Sequence, residues 1–98
     1  MRRYNIQEVA KKVVHAFIRF KIDNKLVISE EDAFNLLSYS VKSLYNMDCI
    51  EYSDTICEYG YDCIKTLKKI NGIPKKLNLE DTVHLLDLVR GYFIYKSV

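Results

Sequence analysis

No stretch of this 98-residue chain approaches the roughly 20 consecutive apolar residues that a membrane span needs. The N-terminal region also lacks the uninterrupted apolar segment of a secretory signal, because Lys11, Lys12, His15 and Arg19 break it up. Both absences point to a cytosolic chain. Cysteine is scarce and odd in number: Cys49, Cys57 and Cys63 lack the paired short spacings of a zinc site, so reduced thiols in a reducing compartment are expected. Proline occurs once and tryptophan not at all, which leaves the aromatic content to four phenylalanines and eight tyrosines. No catalytic, metal-binding or phosphate-binding motif stands out, so no enzyme class, cofactor or small-molecule substrate is indicated.

What is present is a repeated helix-start grammar. Asn5-x-x-Glu8, Ser29-x-x-Asp32, Asp48-x-x-Glu51 and Asn78-x-x-Asp81 each pair a capping side chain with an acid three residues on, followed by apolar residues at helical spacing. The cap oxygen takes an orphaned amide hydrogen, and the acid sits in the positive first turn. Apolar Tyr4, Ile28, Met47 and Leu77 precede the caps, and Val9 and Tyr52 complete a hydrophobic staple for the first and third. With a hydrophobic fraction of 49% and a charged fraction of 29%, the chain has enough apolar matter for one core, which excludes disorder and makes residues 1–98 a single domain.

The spacing predicts helices over about 6–21, 30–45, 49–70 and 79–95. In the first, Ile6, Val9, Ala10, Val13, Val14 and Phe17 share a stripe opposite Glu8, Lys11, Lys12, His15 and Arg19. In the second, Ala33, Phe34, Leu36, Leu37, Val41 and Leu44 turn inward. In the third, Cys49, Tyr52, Ile56, Cys63, Leu67 and Ile70 keep one phase, and Gly60 falls inside the stripe where a neighbouring helix approaches closely; the helix is read as continuous through it. Gly72 and Pro74 end that helix. The fourth has a wide apolar arc of Val83, Leu85, Leu86, Val89, Tyr92 and Phe93, extended by Leu88 and Tyr95, which calls for two neighbours and a flank reserved for another molecule. Short connections, including one of three residues at Asn46 to Asp48, predict an all-α, up-down-up-down four-helix bundle, with an irregular orthogonal helical bundle as the alternative.

Charge falls in blocks. Residues 1–25 carry seven basic and two acidic groups, residues 26–64 one and eight, and residues 65–98 seven and three. Arg2, Arg3, Lys11, Lys12, His15 and Arg19 form a basic set able to meet phosphate or an acidic protein patch. A helix-turn-helix reading fails on charge, because the third helix would present Glu51, Asp54, Glu58 and Asp62 to the nucleic acid. His84 has Glu80 one turn earlier and Asp87 one turn later to favour its protonated form, but no cleft or substrate-positioning group is visible beside it; Cys57, on the flank of the core stripe, is the thiol to test for reactivity. Tyr39, on the polar side of the second helix, is expected to be exposed.

These features give a non-enzymatic protein-protein interaction or regulatory accessory module, with a protein partner or a second copy as its occupant. The expected interface combines Leu88, Tyr92 and Tyr95 of the fourth helix with Tyr52 and Tyr59 of the third. The alternative function is nucleic-acid binding through the basic face of the first helix.

Overall fold

The computed structural model describes residues 4–49 and 52–96, with side chains through Phe93. The chain is all-α: α1 (Ile6–Asp23), α2 (Glu30–Leu44), α3 (Asp54–Lys68) and α4 (Leu79–Lys96), with no strand among the described residues. Three of the four expected caps form. Asn5 Oδ1 accepts the amides of Gln7 and Glu8, Ser29 Oγ accepts that of Asp32, and Asn78 Oδ1 accepts that of Asp81 at 2.7 Å.

The third start is corrected. Asp48 lies outside any helix, and Ser53 caps α3 instead, its Oγ accepting the Ile56 amide at 3.2 Å. Cys49 and Tyr52 therefore precede α3, while Ile50 and Glu51 lie outside the described residues. The connection from α2 spans residues 45–53, three times the expected length, which removes the geometric basis for any helix-turn-helix comparison. At its other end α3 stops at Lys68. Gly72, at φ +85°, supplies the left-handed residue of a later turn and does not cap the helix.

α1 and α2 end in the same device. Lys25 and Asn46 adopt left-handed backbone, at φ +53° and +58°. The amide of Lys25 bonds Ile22 O and that of Leu26 bonds Lys21 O; the amides of Asn46 and Met47 bond Ser43 O and Lys42 O in the same way. These paired bonds are the Schellman pattern, and they carry α1 two residues past its expected end. Asparagine tolerates the conformation, whereas lysine gives up roughly 1 kcal/mol to adopt it.

The helices pack as α1 with α4, α1 with α3, α2 with α3 and α2 with α4. Contacts advance in the same sense along α1 and α4: Tyr4 meets Asp81 and Phe17 meets Phe93. They also advance together along α2 and α3, where Tyr39 lies against Gly60 and Ser40 against Cys63. They run oppositely along α2 and α4, since Phe34 meets Phe93 while Tyr45 reaches Pro74 just before α4. The four-helix bundle is thus arranged up, down, down, up, in place of strict alternation. The nine-residue connection explains the difference: extended, it spans about 30 Å, enough to return along the roughly 22 Å of α2.

The core contains the expected stripe of α1 and, from α2, Ala33, Leu36, Leu37 and Val41, together with Ile56, Cys63, Leu67, Leu85 and Val89, while Phe34 and Leu44 are half-buried against it. Phe17, Phe20, Phe34 and Phe93 form an aromatic chain with ring centroids 6.0 to 6.4 Å apart. α3 runs unbroken through buried Gly60, as its phase required. A β-carbon there would stand 2.9 Å from Tyr39 Cε2, so glycine is what lets α2 and α3 close up. Tyr39 is consequently half-buried, correcting its expected exposure.

Candidate functional site

An apolar opening lies along the seam of α1 and α4, a groove of about 810 Å³ lined by Lys11, Val14, His15, Ile18, Asp87, Leu88, Gly91 and Tyr92. The two helices create it because their stripes are broader than the seam. Val14 is almost buried, whereas Ile18, Leu88 and Tyr92 remain half-exposed with no helix above them. A recess of about 200 Å³ continues the groove through Val14, Ile18 and Tyr92 to Phe17 and Phe93, under Lys21 and Glu30. The rims are polar: Lys11 and His15 stand on the α1 side and Asp87 on the α4 side, all exposed.

The expected interface residues divide. Leu88 and Tyr92 line this groove. Tyr52 is 74% exposed on the connection before α3, and Tyr59 is half-buried on α3 beside Glu58, so neither lines the groove. The Tyr95 side chain lies outside the described residues. Sequence reasoning missed Ile18 and Gly91, and it assigned Val14 wholly to the core; a helical projection of α1 puts Lys11, Val14 and Ile18 on one edge, a signal that was there to be read.

The basic set divides as well. Arg2 and Arg3 lie outside the described residues. Lys11 and His15 edge the apolar groove, while Arg19 lies against α3 and Lys12 reaches the turn after it. Arg19 shares a cleft of about 470 Å³ with Ala16, Phe20, Asp23, Asp62, Lys65 and Lys69, and the Lys12 ammonium lies over Gly72 where a side chain would go.

Chemistry elsewhere is sparse. Cys57 is exposed, and the Tyr52 hydroxyl hydrogen-bonds with it; that bond and its neighbouring charge, with Tyr39 nearby, hold the Tyr52 phenol above its ordinary range. Buried Cys63 has its thiol pushed up to about 11 by burial, partly opposed by a hydrogen bond with Ser40. His84 is exposed and lines none of the grooves described. Among the described residues no three His, Cys, Asp or Glu side chains gather where a metal ion would be held, and no helix is long and apolar enough to cross a membrane.

No protein-family model matches the chain, and no curated protein or solved structure is significantly similar to it.

Proposed function

We propose that this protein is a non-enzymatic helical interaction module that pairs with a second copy of itself through the α1 and α4 groove. One observation carries the reading: an apolar floor of Val14, Ile18, Leu88 and Tyr92 lies between a basic rim on one helix and an acidic rim on the other. Such a surface is self-complementary. In a two-fold pair the α1 rim of one copy lies against the α4 rim of the other, so Lys11 and His15 meet the second copy's Asp87 while the apolar floors cover each other. Burial of the half-exposed Ile18, Leu88 and Tyr92 supplies the driving force, and the charges fix the register. A pair of this kind suits an accessory or regulatory subunit in the cytosol, and the three cysteines without paired spacing are in keeping with that compartment.

A charge-swap cycle tests the pairing. Lys11→Asp and Asp87→Lys should each weaken dimerisation severalfold in sedimentation experiments, because each sets like charges against one another across the two-fold axis. The double variant should restore it. Failure of the double variant to recover any affinity would remove the proposed register, and a wild-type chain that stays monomeric at high micromolar concentration would remove the reading itself.

A further inference from the structure

Folding gathers onto one face the two positive blocks that the sequence keeps apart. α1 packs on α3, and this sets Arg19 beside Lys65 and Lys69 in one cleft. A second groove, of about 480 Å³, shares Lys69 and continues along Lys68, Ile70, Asn71, Gly72, Ile73 and Lys75; Lys12 reaches it across Gly72. Six basic side chains from α1, α3 and the following turn thus line a continuous track. Asp23 and Asp62 oppose them at the Arg19 end only, and no acidic residue lines the second groove.

Beside this track stands an aromatic ring with no packing role. Tyr61 is 73% exposed on α3, and the Lys65 ammonium sits 5.4 Å from its ring centroid. An exposed ring beside a cation is the pairing that single-stranded nucleic acid uses, a base stacking on the ring while phosphates run along the neighbouring cations. A duplex gains nothing from such a ring, because its bases are already stacked.

From these neighbours we infer that the α1 and α3 face binds single-stranded nucleic acid: Tyr61 stacks one base, and Lys65, Lys69, Lys68, Lys12 and Lys75 track the backbone away from Asp62. The acidic N-terminal half of α3, with Asp54 and Glu58, repels the strand and sets its direction along the face. The site lies on the opposite flank of α1 from the proposed dimer groove, so each can fail without the other.

Because the chain has no tryptophan, Tyr61→Trp places a single, selectively excitable indole at the stacking position. With a single-stranded dT oligonucleotide as probe, its emission should be quenched on binding, and inorganic polyphosphate should not quench it. Unlabelled wild-type protein should bind the same oligonucleotide with an affinity that falls about 50-fold for a fourfold rise in salt, the response of about four phosphate contacts on a single strand. Tyr61→Ala should weaken binding between about 5-fold and 150-fold, the range for one lost stacked base. Lys68→Glu with Lys69→Glu should abolish it at moderate salt. Arg90→Glu, exposed on α4 and absent from the track, changes net charge as much as either single reversal and should have little effect.

All changed positions are exposed, so each variant should keep the wild-type circular dichroism spectrum, and loss of binding then reports on the surface. Four results would overturn the inference: no oligonucleotide binding at low salt, equal affinity for duplex, indifference to Tyr61→Ala, or binding confined to anionic phospholipid vesicles.

Discussion

The phenol of Tyr4 donates a 2.6 Å hydrogen bond to the carboxylate of Asp81, joining residues 77 positions apart. Asp81 is 3% exposed, and its own amide closes the cap of α4 on Asn78, so this bond ties the entry of α1 to the first turn of α4. The parallel setting of the two helices, and with it the groove between them, begins here. Tyr4→Phe keeps the ring but leaves a buried carboxylate short of a donor. The variant should lose roughly 1.5 to 3 kcal/mol in chemical denaturation, the range for a hydrogen bond to a charged group. A loss within experimental error would mean that the helix pair is set by apolar packing alone.

Close approach of α2 and α3 at Gly60 gives a prediction whose sign depends on background. Gly60→Ala gains about 1 kcal/mol of helix propensity but drives a methyl into the Tyr39 ring, an overpacking cost of roughly 1 to 3 kcal/mol. The net effect should be destabilising. Once Tyr39→Ala has opened the space, the same Gly60→Ala change should stabilise by up to about 1 kcal/mol. Equal effects in the two backgrounds would show that the contact is not what fixes the glycine.

The start of α3 can be located by removing caps one at a time. Ser53→Ala should cost about 1 kcal/mol, because the Ile56 amide loses its acceptor. Asp48→Ala should stay within about 0.5 kcal/mol, as befits an exposed residue in a connection. The opposite ranking would restore the longer helix read from the sequence.

Alkaline pH should unfold the protein through two buried acids. Burial, and secondarily Tyr4 beside it, raises the Tyr45 phenol to about 12, and burial raises the Cys63 thiol from near 9 to about 11. Both groups hold their protons longer in the native state than in the unfolded chain. The contribution of these two groups is therefore fully present below about pH 9 and falls as pH climbs towards 12, at up to roughly 1.4 kcal/mol per pH unit for each group. Tyr45→Phe should flatten the upper part of that decline, besides losing the 2.9 Å bond to Pro74 O. Denaturation midpoints that stay flat from about pH 9 to 12 would contradict the assignment.

Much of the fold was legible because local chemistry agreed with it. Asn5, Ser29 and Asn78 carry cap oxygens with an acid three residues on, and each forms its cap. Gly60 kept the apolar phase of α3 and so announced a close helix contact. The failure at Asp48 has a physical origin: Ser53 competes as a cap without an acid at the third position, and nothing local decides between them. That displacement lengthened one connection to nine residues and changed the order of the bundle, which no local pattern records. Groove and basic track were legible only in part. Leu88 and Tyr92 stood out by hydrophobicity, but their partners Val14 and Ile18 on α1, and Lys65 and Lys69 beside Arg19, become neighbours only through packing between distant segments.

Sedimentation equilibrium of the wild-type chain beside Leu88→Glu tests self-pairing most directly, since Leu88 is half-exposed in the groove and is not among the fully buried core residues. The wild type should sediment as a dimer at micromolar concentration, and the variant as a monomer with unchanged helicity. A wild-type monomer throughout the accessible range, or a dimer that Leu88→Glu does not disturb, would contradict the account.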